Sequence, residues 1–464
     1  MKTLTSWVLV AVSVAANAAA LPDETCDVAV VGGGAAGVAA AVQSGRAGAR
    51  TVLIEQGHQV GGNMTSGGVN FPGLFHAWGR QVIDGVGWEI VTNCVALDGR
   101  TLPDFTKPTG RQHWRHQVTV NIPLYVALAE EALTKAGVTI HYHAAPTRIV
   151  RDGEWWKISV AAVGDTRTVT CRQIVDCTGN GAVAALLGLE RMRESTCQPG
   201  SFVYKISPET PLDALDAKAL EAARAKAVME GRLLPNDTRA GVMGFLRRGG
   251  DTANYVDDAD NSTADLRTQT NLRGRASMLR MYRFLKSLPG LGNVRLLAMS
   301  PEVGVRETYR VRGEYVVTHE DYTSGRIYAD SVCYAFYPID LHDKVSGIRP
   351  AHLKEGMVAT VPLRALVVKG VDGVLVAGRC VSSDRLANSA LRVEATCMAT
   401  GQAAGAAAAL AARHKTTALK IDFGELTALL RAHRAIVPTD GGVRVQTTLP
   451  NPRSEFGFST KSVL

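Results

Sequence analysis

The sequence lacks several features that would point to other classes of protein. Its 464 residues carry a formal net charge of +8, but the charge is spread out, with neither a basic stripe nor a nucleic-acid recognition motif. No internal repeat and no low-complexity linker occurs. The eight cysteines form no C-x-x-C pair, so neither a metal site nor a dithiol centre is indicated. With 46% hydrophobic and 20% charged residues, the composition is that of a globular α/β enzyme.

The apolar stretch at the start is too short to cross a membrane. Lys2 precedes an apolar core from Trp7 to Ala16, and the small residues Ala18 to Ala20 follow it. A membrane-spanning helix needs about 20 apolar residues. We therefore interpret residues 1–20 as a cleaved secretory signal peptide, which predicts a secreted or periplasmic protein. An uncleaved membrane anchor is the alternative. No Arg-Arg pair precedes the core and no cysteine follows the small residues, so a twin-arginine route and a lipid anchor are not indicated.

A glycine-rich turn lies between two short apolar runs. The β-branched run Val28–Val31 predicts a buried strand, residues 38–49 predict a helix, and Thr51–Glu55 predicts a second strand. Strand, glycine turn, helix and strand in this order form the βαβ unit that binds dinucleotides at the helix N-terminus. The turn that fits G-x-G-x-x-G consists of Gly32, Gly34, Ala35, Ala36 and Gly37.

Glu55 ends the second strand, 21 residues after Gly34. An acid at this position accepts hydrogen bonds from the ribose hydroxyls of the cofactor. Because it would repel a 2′-phosphate, NADP is disfavoured. A tight structural turn without a ligand is the alternative, but the strands, the helix and the acid together favour a dinucleotide site.

A second glycine-rich stretch follows the acid, from Gln56 to Gly68. It resembles the Gly-Gly-x-x-[Ser/Thr]-x-Gly turn of the two-dinucleotide-binding-domain flavoproteins, and more narrowly their FAD-dependent oxidoreductase branch. This resemblance implies a glutathione-reductase-like or fumarate-reductase-flavoprotein-like FAD fold, with FAD as cofactor. The residues that it implies for cofactor binding in this stretch are Gln56, Gly61, Gly62, Asn63, Thr65 and Ser66.

Two later stretches resemble further elements of the same family. One is the apolar strand and turn that end in Cys177-Thr178-Gly179, and the other comprises Leu375–Arg379 and Gly401–Gly405. In the family, the last helix directs its N-terminus at the flavin, where it favours the negative charge of the reduced ring. The resemblance places Thr147 and Arg148 near the adenine. It also implies cofactor contacts for Thr178, Gly179, Gly378, Arg379 and Arg392.

The predicted fold class is α/β. We expect a Rossmann-like FAD-binding domain, with three layers and a mostly parallel sheet, that carries an inserted α+β substrate domain. The predicted boundaries are 24–200 and 358–413 for the two parts of the FAD domain, 201–357 for the insertion, and 414–464 for a C-terminal helix and polar tail. Residues 69–115 lack clear periodicity and are interpreted as an irregular excursion.

Candidate catalytic residues precede the last family element. Asp340 and His342 are two residues apart in an extended segment, so they share a face, and the Pro-Ile-Asp-x-His pattern resembles one in the same flavoprotein branch. His342 is a candidate proton acceptor that Asp340 orients. Arg306 and Arg310 resemble an Arg-Glu-x-x-Arg element that clamps an anionic group. A strand-end salt bridge for His342 and an ion pair between Arg306 and Glu307 are the alternatives.

Arg385 and Asn388 are expected near the flavin face. Relatives often have histidine where Asn388 stands, which leaves its role as a base in doubt, and a helix cap is the alternative. Only one glycine fingerprint is present, so no second domain for a nicotinamide cofactor is predicted.

The sequence thus favours hydride transfer between a small organic substrate and the flavin, and Arg306 and Arg310 favour a substrate with an anionic group. The electrons would be exchanged with oxygen, a quinone or a carrier protein. Two alternatives are an FAD enzyme with non-redox chemistry, such as hydration or elimination, and a degenerate binding module.

Overall fold

The computed structural model describes residues 23–438, except residues 108, 110–111, 239–240, 251–253, 344–346 and 349–350. The predicted signal peptide and the polar residues 440–464 lie outside the described residues. The helices of the described part are α1 (Ala35–Arg46), α2 (Val86–Leu97), α3 (Ile122–Lys135), α4 (Ala182–Leu186), α5 (Ala217–Met229), α6 (Gly241–Arg247), α7 (Ala264–Lys286), α8 (His319–Ser324), α9 (Arg385–Leu391), α10 (Glu394–Arg413) and α11 (Phe423–Ala432).

The strands are short, and several have only two residues. In chain order they are β1 (Glu24–Thr25), β2 (Val28–Val31), β3 (Thr51–Ile54), β4 (His76–Ala77), β5 (Arg80–Gln81), β6 (Thr139–His141), β7 (Ala144–Asp152), β8 (Trp155–Ala162), β9 (Asp165–Cys171), β10 (Gln173–Asp176), β11 (Arg191–Met192), β12 (Tyr204–Ser207), β13 (Arg295–Met299), β14 (Arg310–Val311), β15 (Ser331–Ala335), β16 (His342–Asp343), β17 (Gly347–Ile348), β18 (Ala359–Pro362) and β19 (Val374–Val376).

The central sheet is parallel and has the strand order β19-β10-β2-β3-β6. Alternate residues of β2 point to opposite faces, as the pleat of a strand requires. Val28 and Val30 pack into one core, while Ala29 and Val31 pack into a second core on the other face. Burial on both faces explains why this strand is an unbroken apolar run.

A second sheet covers one face of the first, with the order β1-β9-β8-β7. Its apolar residues, among them Trp156, Ile158 and Val169, share a core with Val31 and Ile54 of the central sheet. The opposite face is covered by α1 and α10. The result is three layers, which confirms the predicted Rossmann-like α/β fold with a mostly parallel sheet.

Helices α1 and α10 pack against each other at unusually short range. A Cβ atom on Gly401 would lie 2.1 Å from the carbonyl oxygen of Ala36, and one on Gly405 would lie 2.2 Å from that of Ala40. The small residues of α10 therefore let two backbones touch. A short turn at Arg392 and Val393 separates α9 from α10.

Residues 69–115 are more regular than the sequence suggested. They contain the β4–β5 hairpin and the helix α2. Most of this helix is buried, and its outward stripe at positions 89, 92, 93, 96 and 97 ends in the apolar residues Ala96 and Leu97, so the helical periodicity is weak in the sequence. Contacts with a distant part of the chain stabilise it: Gly87 lies against Met398, and the N–H of Val86 donates to the side-chain oxygen of Gln402.

The segment after residue 200 has a core of its own. Residues between Phe202 and Val305, from β12, α5, α6, α7 and the connecting loops, form a separate apolar cluster. Residues from Val317 to Leu366 instead join the main core. The domain boundaries stay a prediction. Further along the chain, β14 has only two residues, whereas β15 pairs with β18 and is buried along its whole length.

Two further properties concern the described part alone. None of its helices has both the length and the apolar character that crossing a bilayer requires. All eight cysteines are buried as free thiols.

Candidate active site

The first glycine turn brings strand β2, helix α1 and strand β10 into contact. Gly32 has a φ of 97°, and a Cβ atom there would lie 2.5 Å from the carbonyl oxygen of Cys177. A Cβ atom on Gly37 would lie 1.8 Å from the carbonyl oxygen of Gly32. Both positions require glycine because backbone fills the space that a side chain would need.

Gly34 differs from these two glycines because its Cβ direction is open. No described atom lies within 4 Å of that position, although Gly34 is the N-cap of α1 and has a φ of −64°. Its neighbours Ala35 and Ala36 are buried in the first turn of α1, which has no acidic residue and no side-chain cap. The free N–H groups of a helix start are a site for a phosphate group. The turn therefore leaves a cradle where a pyrophosphate fits.

Glu55 is held at the end of β3 by two backbone groups. Its carboxylate accepts the N–H of Gly33 at 2.5 Å and the N–H of Gly57 at 2.6 Å. Burial raises its pKa, while these two hydrogen bonds act in the opposite direction. The carboxylate is thus oriented next to the cradle, where a ribose hydroxyl can donate to it.

The predicted adenine contacts lie on β7, further from the cradle. Thr147 and Arg148 are exposed, and the Thr147 hydroxyl donates to the carbonyl of Ser159 on β8. Ala144, at the start of the same strand, donates its N–H to the carbonyl of Glu55. Thr147 and Arg148 therefore lie a few residues along β7 from the residue that bonds Glu55, and their adenine contact stays a prediction.

The second glycine loop lies directly against the first. The N–H of Gly61 donates to the carbonyl of Gly33 at 2.8 Å, and a Cβ atom on Gly62 would lie 3.0 Å from the Cα atom of Gly34. The Thr65 hydroxyl donates to the carbonyl of Val60 at 2.6 Å, inside the loop. The loop is thus shaped by its own hydrogen bonds, with its backbone along the cradle.

The polar side chains of this loop are engaged elsewhere. The Asn63 amide donates to the carbonyl of Val305 at 2.6 Å and accepts from its N–H at 3.3 Å, which ties the loop to the inserted segment. Ser66 accepts a long hydrogen bond from the amide of Gln59. Gln56 is exposed.

The buried carboxylate of Asp176, which no sequence motif marked as a site residue, shapes the turn after β10. The Asp176 carboxylate accepts the hydroxyl of Thr178 at 2.7 Å and its N–H at 3.1 Å, and also the N–H of Val183 at 3.1 Å. Burial raises the pKa of Asp176. These bonds hold the Thr178-Gly179 turn beside Gly32.

Arg379 joins three of the predicted segments. Its guanidinium donates to the carbonyl of Gly179 at 2.9 Å and to the carbonyl of Val305 at 2.6 Å. Burial lowers its pKa. Gly378 before it has a φ of 81°, and a Cβ atom there would lie 2.8 Å from Cβ of Ala36. The segment Leu375–Arg379 therefore meets the start of α1.

The predicted pair Asp340 and His342 is brought together, and a tyrosine joins it. His342 Nε2 lies 3.0 Å from Oδ2 of Asp340, and Nδ1 lies 2.9 Å from the hydroxyl of Tyr255. Burial lowers the pKa of His342 to about 4. Burial opposes ionisation of Asp340 as well, but the hydrogen bond from His342 and the nearby arginines bring its pKa down to about 2. At neutral pH, a neutral imidazole therefore bridges a phenol and a carboxylate.

Two arginines flank this chain of hydrogen bonds. Arg392 donates to the carbonyl of Asp340 at 3.1 Å and lies 3.4 Å from its carboxylate. Arg306 lies with its guanidinium 5.0 Å from the ring centre of Tyr255, and it donates to the carbonyl of Pro199 and the hydroxyl of Ser201. Burial lowers the pKa of Arg306 to about 10, so it stays a cation at neutral pH.

Arg306 forms no ion pair with any described carboxylate. The alternative that paired it with Glu307 does not describe the structure, because Glu307 pairs with Arg385 at 2.5 Å and also accepts from Gln198. Arg310 pairs with Glu194 at 3.0 Å and donates to the carbonyl of Ser383. Arg385 and Arg310 thus form ion pairs within the protein. Arg306 bonds only neutral oxygen atoms among the described residues, so its positive charge can interact with an anionic ligand.

Asn388 is 1% exposed and belongs to α9. Its amide donates to the carbonyl of Arg379 at 3.1 Å and to the hydroxyl of Ser383, while its side-chain oxygen has no hydrogen-bond partner. Asp384, not Asn388, caps this helix. The predicted cap role is therefore wrong, because Asn388 lies inside the helix.

The sequence reading missed Tyr255, Gln198 and Glu394 as members of this site. The backbone N–H of Gln198 donates to the Glu307 carboxylate, and its side-chain oxygen accepts the backbone N–H of His342. Glu394 is the first residue of α10, and burial raises its pKa to about 7. No local motif marks Tyr255 or Gln198, since only the fold brings them to His342. Among the described residues, no group of three or more His, Cys, Asp or Glu side chains could hold a metal ion.

The arrangement fits a flavin dinucleotide. The open cradle at Gly34 suits the pyrophosphate of FAD, and Glu55 suits its ribose. The N-cap residue of α10, Val393, makes no side-chain cap, so the first N–H groups of this helix are available to an electron-rich ring. The cations Arg306 and Arg379 add positive charge close to the same helix start.

The chain is similar to a number of solved structures, three of which follow. A geranylgeranyl bacteriochlorophyll reductase-like protein from Thermoplasma acidophilum has 11% identity and a TM-score of 0.42, over 89% of this chain and 83% of that one. A flavoprotein/dehydrogenase from Cytophaga hutchinsonii has 13% identity and a TM-score of 0.39, over 88% and 83%. The anhydrotetracycline hydroxylase OxyS from Streptomyces rimosus has 18% identity and a TM-score of 0.29, over 40% of this chain and 39% of its own.

At these levels of similarity, the structural neighbours carry no argument about the reaction. The chain spans about two fifths of the length of OxyS. It matches no curated protein. The family model described as FAD dependent oxidoreductase matches residues 27–430, which include the cradle, the arginines and the last helix. The chain is therefore a member of the FAD-dependent oxidoreductase family, and FAD is its cofactor.

Proposed function

We propose that this protein is a secreted or periplasmic enzyme that transfers a hydride between a small organic substrate and FAD. The observation that carries the proposal is the hydrogen-bonded chain from Tyr255 through His342 to Asp340, beside the buried cation Arg306. Oxidation of a C–H bond next to a hydroxyl group needs an acceptor for the hydroxyl proton and a cation for the developing negative charge. This cluster has both.

The hydrogen bonds define a route for the proton. Because the Asp340 carboxylate accepts from Nε2, His342 carries its hydrogen there and accepts the Tyr255 hydroxyl proton at Nδ1. The substrate hydroxyl gives its proton to the Tyr255 oxygen as Tyr255 gives its own to His342. Asp340 then stabilises the imidazolium. FAD, when bound, accepts the two electrons and the hydrogen of the C–H bond as a hydride.

Arg306 supplies positive charge, and its guanidinium forms no ion pair within the part of the chain that the structure describes. Its pKa of about 10, lowered by burial, keeps it protonated at neutral pH. In a site that excludes water, such a cation stabilises a substrate alkoxide more strongly than it would in water. The same cation can hold an anionic group of a substrate.

The electrons are proposed to pass to or from a partner other than a nicotinamide cofactor. A single G-x-G-x-x-G turn supports this, because a nicotinamide domain would carry its own. Oxygen, a quinone and a carrier protein are the candidate partners. The apolar core over residues 7–16 and the small residues after it support secretion.

The proposal is tested by mixing the FAD-loaded enzyme with candidate substrates under anaerobic conditions and following flavin absorbance. A substrate should bleach the flavin. His342→Ala and Tyr255→Phe should retain FAD but slow this reduction by about 100-fold or more, in line with the loss of an acid–base group. His414→Ala, at an exposed histidine after α10, is the matched control and should reduce at the parent rate.

Two results would contradict the proposal. A reduction rate within about a factor of three of the parent in both variants would remove the proton route. Turnover of a substrate with no bleaching of the flavin would show the non-redox chemistry that the sequence leaves open, in which FAD has only a structural role.

A further inference from the structure

Two stretches of chain run side by side from one sheet into the other. Strand β1 leads directly into β2, and β9 leads directly into β10. In the second sheet, β1 pairs with β9 so that Thr25 is opposite Thr170. In the central sheet, β2 pairs with β10 so that Val28 is opposite Gln173. The offset between the two stretches is the same on both sides of the junction, so neither stretch gains or loses a residue there.

A cysteine occupies the same place in each stretch at this junction. Counting one residue on from Thr25 and Thr170 gives Cys26 and Cys171, which are therefore opposite each other. The N–H of Cys26 donates to the carbonyl of Thr170 at 2.9 Å, as an inter-strand bond of a parallel pair. Neighbouring strands lie about 4.8 Å apart, which is within the range of roughly 4.4–6.8 Å between Cα atoms that a disulfide spans.

Both side chains point into the core between the two sheets. Cys26 is 1% exposed and Cys171 is 0% exposed, and both belong to the apolar cluster that contains Trp156 and Val169. The pKa of the Cys26 thiol is raised, chiefly by its interaction with the Cys171 thiol and secondly by burial. The two sulfur atoms are thus neighbours on the same side of the paired strands, although the structure records them as free thiols.

A second group of cysteines, around Cys177, is arranged differently. Burial raises the pKa of the Cys177 thiol, and Cys380 and Cys397 are close enough to add to this effect. Cys380 lies in a helical turn and donates to the carbonyl of Ala377 at 3.7 Å. Cys397 lies in α10 and donates to the carbonyl of Arg392 at 3.1 Å. Their thiols are therefore directed at the backbone, and neither residue is opposite Cys177 in a pair of strands.

We propose that Cys26 and Cys171 form a disulfide bond when the chain folds in an oxidising compartment. The two thiols lose two protons and two electrons as the S–S bond forms. A disulfide-containing oxidant, either a thiol–disulfide oxidoreductase or glutathione disulfide, takes them up and is released as two thiols. The occurrence of this bond in the cell rests on the proposed location outside the cytoplasm, since thiols stay reduced in the cytosol.

The bond ties the first strand of the described chain to the body of the protein. Strand β1 has only two residues, and it directly precedes β2, which leads to the glycine turn at Gly32. A link from Cys26 to Cys171 closes a loop of about 145 residues, which reduces the conformational freedom of the unfolded chain. The disulfide therefore stabilises the corner of the fold from which the cradle is reached.

Burial determines when the bond can form and break. In the folded chain, neither sulfur atom is open to an oxidant or a reductant from solvent. The disulfide has to form during folding, while the corner between the sheets is still open, because exchange needs access to the sulfur atoms. Folded, oxidised protein should consequently resist a reductant until it is unfolded.

The first test maps the thiols of the refolded protein. Purified protein is unfolded with a reductant and refolded with FAD in a glutathione buffer that contains both the thiol and the disulfide. Free thiols are then blocked with N-ethylmaleimide in denaturant, and the peptides are analysed by mass spectrometry without reduction. The peptide with Cys26 should be linked to that with Cys171. Blocking of all eight cysteines, or a link from Cys177 to Cys380 or Cys397 in its place, would overturn the proposal.

Urea unfolding of the refolded protein measures the effect of the bond. A reductant should lower the urea midpoint of the parent, because reduction frees the unfolded chain. The midpoint of Cys26→Ala should be the same with and without the reductant. Cys333→Ala is the matched control and should behave like the parent, since Cys333 is a buried thiol of β15 whose pKa is raised by burial alone. An unchanged midpoint in the reduced parent would contradict the proposal, and the peptide map decides it even where Cys26→Ala does not fold.

The pairing and the location fail in different ways. The full-length chain is produced in cells, its free thiols are blocked as the cells are opened, and its peptides are mapped in the same way. A Cys26–Cys171 link in this protein supports both proposals. Fully blocked thiols in the cellular protein, with the link formed in the glutathione buffer, would support the pairing and contradict the location. Absence of the link in the buffer would overturn the pairing wherever the protein resides.

Discussion

Gly34 and Gly37 belong to the same turn but serve opposite purposes. At Gly34 a methyl group would enter open space, and the φ of −64° suits any residue. At Gly37 the same methyl group would collide with the carbonyl of Gly32. One glycine leaves room for a ligand, and the other lets the chain pack. The sequence motif requires glycine at both positions and does not distinguish the ligand-binding role from the packing role.

Alanine substitutions should separate these roles. Gly34→Ala should leave the unfolding free energy of the apoprotein close to the parent value while weakening FAD binding at least about tenfold, because the methyl group takes space from the pyrophosphate. Gly37→Ala should destabilise the apoprotein by about 1–3 kcal/mol through overpacking. Urea unfolding of the apoprotein and titration with FAD measure both quantities. Unchanged FAD affinity in Gly34→Ala would remove the cradle assignment.

The two buried histidines predict an acid-sensitive fold. Burial lowers the pKa of His76 to about 3 and that of His342 to about 4, both below the ordinary 6.5. Below pH 6.5 the unfolded chain takes up protons that the folded chain does not, so stability is lost as the pH falls toward 4. Each histidine contributes a slope of about 1.4 kcal/mol per pH unit in this window.

His76→Phe removes one of these contributions. Between pH 6 and 4.5, the unfolding free energy of this variant should fall less steeply than that of the parent, by about 1.4 kcal/mol per pH unit. Urea unfolding at several pH values gives the two slopes. Equal slopes would mean that His76 takes up a proton as readily in the folded chain as in the unfolded one.

At the scale of elements, helix α10 has two functions. Its N-terminus lies beside Arg392 and Arg379, where the family places the flavin, and its small residues let α1 approach along its length. Helix α1 in turn begins at the cradle. The packing between the two helices therefore sets the position of one end of the cofactor site relative to the other.

Gly401→Ala tests this coupling. A Cβ atom 2.1 Å from the carbonyl of Ala36 would push the two helices apart. We expect a loss of about 1–3 kcal/mol in stability together with a lower FAD content, because the cradle shifts away from the start of α10. Gly292→Ala, in a loop where a Cβ atom meets no described atom within 4 Å, is the matched control. Thermal unfolding and the ratio of flavin to protein absorbance are the measurements. If Gly401→Ala were destabilised but kept its full FAD content, the packing of α1 against α10 would not determine FAD binding.

At the scale of the whole molecule, the site is assembled from distant parts of the chain. The carbonyl of Val305, in the inserted segment, accepts from both Asn63 and Arg379. Tyr255 comes from the same segment and meets His342. Because the cradle and the inserted segment share these contacts, a substrate and the cofactor can meet between them.

The proposed location outside the cytoplasm is testable on the full-length chain. Charged residues in place of the apolar core from Val8 to Val14 should retain the protein in the cytoplasm, since the signal requires an apolar core. Fractionation of producing cells, followed by detection of the protein in each fraction, measures this. Continued export of the charged variant would remove the signal-peptide interpretation.

Much of the fold could be predicted because its signals are local. The run Val28–Val31, the glycines of the turn and Glu55 lie close together in sequence, so the motif is recognised without knowledge of Cys177, which fills the space beside Gly32. Helix α2 could not be predicted in this way. Its buried face is covered by α10, about 300 residues later, and its outward face still carries the apolar residues Ala96 and Leu97, so its helical pattern is weak.

The sequence by itself determined the parallel sheet, the glycine cradle with its ribose acid, the FAD cofactor and the pair Asp340 and His342. These depend on short-range geometry and on residue chemistry that a motif records. Only the tertiary structure decided which charges remain available. It paired Glu307 with Arg385, left Arg306 without an ion pair among the described residues, and brought Tyr255 to His342. It also buried the ring nitrogens of His76, which have no hydrogen-bond partner in the described part of the chain. Such outcomes depend on which side chains meet across the fold and on how much water is excluded there, and neither quantity is local in sequence.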